Sequence, residues 1–199
     1  MSKKIAVFGV GGVGSWILWF LTKLDSELVR AKVKEIHIVD FDMVEPKNLL
    51  YADYDKTDVG KLKIEALAKR YADSAVKVIP HDAEIVELGD ITNLGIGSKN
   101  SAIGVLTVDN LTTRDVISKS FTNFVDARVE ENQYTILTSD IDGYSAFNEG
   151  NDPARRGSCF VAPKVRLEAT HMVCASMTTQ IILAMLRNEK HPKMINNSL

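Results

Sequence analysis

The stretch KIAVFGVGGVGSWILWFL, residues 4–21, places four glycines within six residues and follows them with a long apolar run. Residues 4–8 are mostly β-branched or aromatic, which predicts a short buried strand. Residues 15–24 have the length and composition of a helix. The loop between them contains Gly9, Gly11, Gly12 and Gly14. Strand, glycine loop and helix, in this order, form the context in which a G-x-G-x-x-G pattern binds a nucleotide.

The glycine loop has a physical reason to bind phosphate. Glycines allow a tight turn and let a phosphate approach the backbone closely, while the helix N-terminus behind the loop carries a partial positive charge. The alternative is a flexible turn that binds no ligand. The loop therefore predicts a nucleotide site, and other residues must indicate which nucleotide is bound.

The composition is that of an ordinary globular protein. Apolar residues make up 45% and charged residues 25% of the 199 residues, which predicts a single domain over residues 1–199. The formal charge of −2 gives no general attraction to nucleic acid or to an anionic membrane. The apolar run at residues 16–21 is too short to span a bilayer, and the N-terminus lacks the layout of a signal peptide. We therefore expect no nucleic-acid partner and no membrane partner.

The cysteine and histidine content indicates a reducing compartment and no structural zinc. Two cysteines, Cys159 and Cys174, cannot build a disulfide framework, so we expect a cytoplasmic protein. The four histidines are scattered, and the sequence contains no C-x-x-C pair. We therefore expect no zinc site.

Strand and helix patterns alternate along the rest of the chain. We predict further strands at residues 33–40, 76–79, 102–108, 124–127 and 134–138, and helices from about residue 59 to 72 and at 111–120 and 172–186. Pro80 is predicted to end the third strand, residues 89–100 to form a loop, and residues 148–158 to form a mobile loop. The alternation predicts a doubly wound, Rossmann-like α/β fold with a mostly parallel sheet flanked by helices.

Polar residues follow three of the predicted strands. The glycine loop follows the first strand, Asp40 and Asp42 follow the second, and Asp109 and Asn110 follow the fourth. In doubly wound sheets, ligands bind at this carboxyl edge, and an acid at the end of the second strand can hold ribose hydroxyls. This pattern fits either NAD or ATP.

Four motifs taken together resemble the ThiF/MoeB family, the adenylating enzymes that activate ubiquitin-like and sulfur-carrier proteins. The motifs are GVGGVGS, DFDMVEPKNL, VGKLK and VDNLTTR, and the resemblance runs from about residue 4 to residue 128. It implies that Lys63 neutralises charge on the α-phosphate of ATP, that Asn48 lies near the phosphates, and that Asp109 holds Mg²⁺. It also implies nucleotide contacts for the loop glycines Gly9, Gly11, Gly12 and Gly14 and for Asp40, Asp42 and Asn110. The chemistry agrees, because a carboxylate that attacks a triphosphate needs cations aimed at the transferring phosphoryl group.

Several of these residues also have a simpler structural interpretation. Lys63 stands among other lysines and fits a solvated helix lysine. Asp109 could cap the helix that follows it. Asp42 could be an ordinary turn residue, and Asn48 could form an Asx turn.

The sequence departs from the family pattern at its arginines. Tyr51 stands where the family has a phosphate-binding arginine, and a neutral phenol cannot replace a guanidinium that binds phosphate oxygens bidentately. Arg155 and Arg156 in the predicted mobile loop could compensate, or they could form a solvated basic turn. We predict that Arg114 is structural and packs over the sheet edge.

A partner subunit is a second source of an arginine. The sequence begins almost at its first strand, whereas the family often has an N-terminal helix that supplies an arginine across a dimer. The segment WILWFL also offers more bulk than one helix face normally buries. We therefore expect a homodimer or a related partner subunit. The alternative is that Trp16, Trp19 and Phe20 all lie inside the monomer core.

The two cysteines are candidates for a thiol that carries the activated acyl group in some family members. Cys159 follows the basic residues of RRGSCF, and nearby arginines could lower its thiol pKa. Cys174 lies at the start of an apolar helix and is ranked second. For either residue, the alternative is a small buried side chain.

The sequence favours ATP- and Mg²⁺-dependent adenylation of the C-terminal carboxylate of a small ubiquitin-like or sulfur-carrier protein that ends in glycine, with release of pyrophosphate. One alternative is a non-catalytic adenylation-domain subunit that binds a carrier or partner protein. A third interpretation is an NAD-dependent oxidoreductase.

Overall fold

A twisted, mostly parallel sheet positions every element that contributes to the site. The computed structural model describes residues 3–96, 100–130, 132–149 and 169–198. Within these residues the strands are β1 (Lys3–Phe8), β2 (Val33–Val39), β3 (Lys77–His81), β4 (Ala102–Leu106), β5 (Asn123–Glu130), β6 (Gln133–Thr138) and β7 (Met194–Ser198). The helices are α1 (Gly12–Lys23), α2 (Asp25–Arg30), α3 (Lys63–Arg70), α4 (Leu88–Asn93), α5 (Leu111–Ser120), α6 (Ala146–Glu149) and α7 (Ala169–Arg187).

The strand order confirms the predicted doubly wound sheet. The order is β3-β2-β1-β4-β5-β6-β7, in which β1 to β5 pair in parallel and β6 and β7 are antiparallel. The chain runs outward from β1 through β2 to β3 and then returns to β4 on the other side of β1. The crevice between β1 and β4 is therefore the switch point at which such folds bind ligands.

The sheet is buried on both faces. Ile5 and Val7 of β1 lie in one apolar cluster, and Ala6 and Phe8 lie in another. The first cluster includes residues of α1, α3 and α7, and the second includes residues of α4 and α5. Both faces of β1 are covered by helices, which explains why its sequence is a continuous apolar run rather than an alternating one.

Several boundaries differ from the sequence-based prediction. Pro80 does not end the third strand but pairs within β3 opposite Ile38. This is allowed because β3 is an edge strand, where a missing N–H group leaves no ladder bond unmade. Part of the loop predicted at residues 89–100 is α4, whose start is fixed by Asp90 accepting hydrogen bonds from the backbone N–H groups of Val86 and Glu87.

The predicted helix near residue 59 begins later, at Lys63. Gly60 has a φ of +83°, which stops a helix there, and Met43 pairs with Leu62 in an isolated bridge. The α2 helix and the β7 strand were not predicted, because each is short and lacks a strong periodic pattern.

The α7 helix is long and apolar enough to cross a membrane by length and composition alone. It packs against α1, β5 and β6, and 56% of its most apolar window is buried inside the protein. Core helices pass the same length and composition test, so α7 has the features of a core helix.

The aromatic residues of α1 are only partly buried. Trp16, Trp19 and Phe20 form edge-to-face ring contacts along one side of the helix, and the indole Nε1 of Trp16 donates a hydrogen bond to the backbone oxygen of Tyr51. The three side chains are therefore not all enclosed in the core, and the expected dimer or partner interface stays a prediction.

Gly14 allows α1 to start directly beneath the end of β1. A Cβ atom at Gly14 would lie 2.0 Å from the carbonyl oxygen of Gly9, and Gly9 itself has a φ of +82°. A Cβ atom at Gly11 would meet no heavy atom within 4 Å. The first and last glycines of the loop are thus required by the backbone, whereas Gly11 is not.

We expect Gly14→Ala to lower the free energy of unfolding by at least about 2 kcal/mol, because the added methyl group must displace backbone. The matched Gly11→Ala variant should lose less than about 1 kcal/mol. Urea denaturation of both variants measures the difference. Equal stability of the two variants would contradict this role of Gly14.

A histidine pair joins β2 to the edge strand β3. The Nδ1 atom of His37 lies 2.8 Å from Nε2 of His81, and the rings stack with centroids 5.1 Å apart. The other nitrogen of His37 faces Glu35, which pairs with Lys4. Burial lowers the pKa of both imidazoles below their ordinary value. In the His37–His81 contact, one nitrogen must donate and the other accept, so at least one ring is neutral.

The histidine pair predicts a loss of stability in mild acid. Because both pKa values are depressed in the folded chain, the unfolded chain binds more protons as the pH falls below about 6.5. The free energy of unfolding should therefore decrease from pH 7.5 to pH 5.5. His81→Gln should make that decrease smaller. Urea denaturation at the two pH values measures the free energy of unfolding of both proteins, and an equal decrease in the variant and the wild type would show that the pair has no such effect.

Candidate active site

A cavity opens at the carboxyl edge of the parallel strands. It has a volume of about 450 Å³ and extends from the end of β3 to the end of β5. Three of the four predicted loop glycines line it, namely Gly9, Gly11 and Gly12. The other predicted site residues that line it are Asp40, Asp42, Asn48, Lys63, Asp109 and Asn110. Residues from four separate sequence motifs are therefore brought to one concave surface.

Asp40 connects the glycine loop to the turn after β2. Its Oδ2 atom accepts a hydrogen bond from the backbone N–H of Val10 at 2.8 Å, and its Oδ1 atom accepts one from Asp42 at 2.9 Å. Burial raises the pKa of Asp40, and this shift is opposed by nearby Lys63 and by the two amide donors. Each carboxylate oxygen can accept a second hydrogen bond, so the predicted ribose contact remains compatible with this geometry.

Lys63 is a buried cation at the cavity wall. Only 8% of the residue is exposed, and its Nζ atom lies 2.7 Å from Oδ2 of Asp42 and 3.9 Å from Oδ1 of Asp40. Lys63 is also the first residue of α3, where the helix dipole disfavours a positive charge. The two carboxylates compensate for this position. Lys63 is therefore not the solvated helix lysine that its neighbours in the sequence suggested.

Asn48 has local partners as well as a place in the cavity wall. Its Oδ1 atom accepts a hydrogen bond from the backbone N–H of Glu45 at 2.7 Å, and its Nδ2 atom donates one to the hydroxyl of Tyr51 at 2.9 Å. The first of these bonds caps the short 3-10 helix Pro46–Leu50. The side chain of Asn48 thus has a structural role, a capping bond back to Glu45 rather than the Asx turn considered from the sequence, and its predicted contact with phosphate stays a prediction.

Tyr51 and His171 form an aromatic layer against the glycine loop. Their rings stack with centroids 5.1 Å apart, and a Cβ atom at Gly12 would lie 2.4 Å from Cδ2 of His171. Both residues are buried. Position 51, where the family has a phosphate-binding arginine, is therefore filled by the aromatic ring of Tyr51. No local sequence pattern indicates that His171 is its neighbour.

Asp109 and Asn110 have different roles after β4. The Oδ1 atom of Asn110 accepts hydrogen bonds from the backbone N–H groups of Thr112 at 2.8 Å and Thr113 at 3.2 Å, so Asn110 is the N-cap of α5. Asp109 is not the cap, and it is exposed at the cavity. The helix therefore does not account for the carboxylate of Asp109.

Asp109 is the predicted magnesium ligand. Among the residues that the structure describes, no group of three or more His, Cys, Asp or Glu side chains could hold a metal. Magnesium usually binds through one or two carboxylates and completes its shell with water and substrate phosphates. The single exposed carboxylate of Asp109 fits a magnesium ion that arrives with a nucleotide.

A buried ion cluster includes two residues that line the cavity, Arg114 and Arg128. Asp126 is fully buried, and its Oδ1 atom accepts a hydrogen bond from Arg114. Its Oδ2 atom accepts hydrogen bonds from Arg128 and from the hydroxyl of Tyr144. Burial raises the pKa of Tyr144. Arg114 thus packs over the sheet edge. No local sequence pattern singles out Arg128, which also lines the cavity.

The structure separates the two candidate thiols. Cys174 has no exposed surface and lies in the apolar core on α7, so its sulfur cannot reach a carrier protein in this conformation. The prediction that Cys174 could carry the acyl group is therefore wrong, because Cys174 is a core residue. Cys159, Arg155 and Arg156 lie outside the described residues, and the thiol role of Cys159 stays a prediction.

The chain was compared with known proteins. Residues 1–199 match the sequence model of the ThiF family. The tRNA threonylcarbamoyladenosine dehydratase 2 of Saccharomyces cerevisiae is 29% identical over 117 residues, which cover 57% of this chain and 24% of that protein. The chain thus spans about a quarter of this curated relative.

Solved structures share the fold. The MccB structure from E. coli with ATP has a TM-score of 0.71 at 15% identity, over 99% of this chain and 60% of MccB. The PaaA structure has a TM-score of 0.69 at 18% identity, over 99% of this chain and 61% of PaaA. Because the family model matches the whole sequence, the chain belongs to the ThiF family.

Proposed function

We propose that this protein uses ATP to adenylate the C-terminal carboxylate of a small ubiquitin-like or sulfur-carrier protein that ends in glycine. A carboxylate oxygen of the carrier attacks the α-phosphorus and forms a carbon–oxygen–phosphorus linkage. The bond between the α-phosphorus and the oxygen bridging to the β-phosphate breaks, and pyrophosphate leaves with that electron pair. The products are an acyl-adenylate and pyrophosphate, with no change in oxidation state.

The observation that carries this proposal is the buried position of Lys63. Lys63 lies at the start of a helix, beside the glycine loop, and is paired with buried Asp40 and exposed Asp42. A buried cation at a helix N-terminus is costly for stability, and hydride transfer does not require one. Adenylation needs such a cation, because negative charge builds up on the α-phosphate as an anionic carboxylate attacks. In the proposed reaction, Asp40 and Asp42 hold the ammonium group in place until the phosphate arrives.

Other lining residues provide the remaining functions of an ATP site. The backbone N–H groups of the glycine loop and the N-terminus of α1 would bind phosphate oxygens, and Asp40 would hold the ribose. Asn48 and Asn110 would contact the nucleotide from the two sides of the cavity. Asp109 would hold magnesium, which supplies positive charge to the phosphates when it is bound.

The comparisons support ATP and a peptide-like acceptor indirectly. The structural neighbour MccB has been solved with ATP and with N-formylated MccA. The yeast relative is named for a modified tRNA nucleoside, which makes a carboxylate on tRNA a second candidate acceptor. The formal charge of −2 gives this chain no general attraction to tRNA, so we favour the protein carboxylate.

Tyr51 favours one alternative, a non-catalytic subunit that binds a carrier or a partner. A ring stacked on His171 cannot provide the bidentate phosphate contact of an arginine. A non-catalytic subunit would bind its partner without releasing pyrophosphate. Catalysis and partner binding are therefore distinguishable in one assay.

We expect Lys63→Ala and Asp109→Ala each to slow pyrophosphate release by ~100-fold or more, because each removes charge stabilisation from the transition state. The double variant should lose less than the product of the two factors, since both residues act on the same charged centre. The measurement uses a carrier protein ending in Gly-Gly, with MgATP, and a parallel reaction with tRNA as acceptor.

Lys69→Ala is the matched control, since Lys69 is an exposed lysine on the same helix and should leave the rate unchanged. A near wild-type rate in either single variant would remove that residue from the mechanism. Pyrophosphate release with tRNA and not with the carrier protein would show that the acceptor is a carboxylate on tRNA. No release from the wild-type protein with either acceptor would favour the non-catalytic subunit.

A further inference from the structure

The carboxyl-terminal half of β5 presents two charged residues to the same side of the sheet. Asp126 and Arg128 are two positions apart, so their side chains point to the same face of the strand. Asp126 is completely buried, whereas 20% of the Arg128 side chain is exposed. The exposed part matters because Arg128 lines the cavity that also contains Lys63 and Asp109.

Within the described part of the chain, Arg128 forms an ion pair with one carboxylate, that of Asp126. Its Nε and Nη2 atoms donate hydrogen bonds to Oδ2 of Asp126 at 2.9 Å and 2.6 Å. Asp126 also pairs with Arg114 through its other oxygen, so one carboxylate serves two guanidinium groups. The other hydrogen-bond partners of Arg128 are the side-chain oxygen of Asn148 at 2.7 Å and the backbone oxygen of Phe147 at 3.3 Å, and both are neutral.

Arg128 is also held rigidly. Four hydrogen bonds to three residues fix its guanidinium group, and Asp126 is in turn fixed by Arg114 and Tyr144. A charge that is fixed before the substrate binds stabilises an anion without the cost of reorganising during the reaction. A mobile surface arginine would lose side-chain entropy on binding.

Lys63 and Arg128 occupy opposite halves of the cavity, which Lys47 and Arg114 also line. Lys63 follows the turn after β2, on one side of the switch point, and Arg128 lies at the end of β5, on the other side. Tyr51 leaves the first half without the arginine that the family resemblance implied. An adenylation centre contains two anions, the triphosphate and the attacking carboxylate, which repel each other. A second cation in the other half would reduce that repulsion.

We propose that Arg128 is an oxyanion-binding residue of this site and that it holds either phosphate oxygens of the nucleotide or the carboxylate of the acceptor. This inference rests on the proposed adenylation reaction. Arg128 on β5 would then supply the oxyanion contact that Tyr51 cannot make.

The test compares Arg128→Gln, which removes the charge, with Arg128→Lys, which keeps it. Calorimetry measures the affinity for MgATP and for AMP, and pyrophosphate release measures the KM for a carrier ending in Gly-Gly. Arg187→Gln is the control, because Arg187 pairs with Glu27 on the protein surface and its loss changes the net charge equally. Thermal unfolding of each variant records any loss of stability.

We expect Arg128→Gln to weaken one of the two interactions by ~10- to 100-fold, which corresponds to one charge-assisted hydrogen bond from the N–H group that the four bonds above leave unused. Arg128→Lys should recover part of the loss. Weaker binding of MgATP and AMP would identify the phosphates as the ligand. A raised KM for the carrier with unchanged nucleotide binding would identify the carboxylate.

The proposal would be overturned if Arg128→Gln matched Arg187→Gln in both assays. It would also be overturned if Arg128→Lys and Arg128→Gln lost affinity equally and in proportion to their loss of stability, which indicates a purely structural role. If the wild-type protein bound MgATP but released no pyrophosphate, the adenylation proposal would fail. Weaker nucleotide binding by Arg128→Gln would then still support an oxyanion-binding role of Arg128, and unchanged nucleotide binding would overturn it. If it bound neither MgATP nor AMP, both proposals would fail.

Discussion

The carboxylate of Asp40 is the contact on which the site depends. It accepts hydrogen bonds from the backbone of the glycine loop and from the turn after β2, and it lies 3.9 Å from the ammonium group of Lys63. Three segments that are far apart in the sequence therefore meet at one buried acid. Because burial raises the pKa of Asp40, its charged form depends on the lysine and the amide donors that surround it. The loop, the turn and the start of α3 are thus stabilised together.

The sheet topology divides the cavity into two halves with different chemistry. The β1–β2 half contains the glycine loop and the Lys63 cluster, which suit a nucleotide. The β4–β5 half contains Asp109 and the buried cluster of Arg114, Asp126 and Arg128. A reaction between a triphosphate and a carboxylate needs positive charge near both anions. The fold places Lys63 in one half and the Arg114 and Arg128 side chains in the other. This arrangement also explains how the site could function with Tyr51 in place of an arginine.

Features that depend on local sequence could be predicted, whereas those that depend on tertiary contacts could not. The glycine loop follows from backbone rules within a few residues, and the parallel sheet follows from the alternation of apolar segments. The burial of Lys63 could not be inferred, because it depends on a turn twenty residues away. His171 and Arg128 were missed for the same reason, since each reaches the cavity wall from a distant element. The prediction that Pro80 ends the third strand was wrong, because the sequence does not show which strand lies at the sheet edge.

The most direct test of the account is a calorimetric titration of the protein with ATP and with NAD, each with and without magnesium. The account predicts that ATP binds and that NAD binds much more weakly. Magnesium should strengthen the binding of ATP, because the ion would join the carboxylate of Asp109 to the phosphate oxygens. Lys63 and Asp109 are the reason for this preference, since hydride transfer needs neither. Tight, magnesium-independent binding of NAD with no binding of ATP would contradict the account.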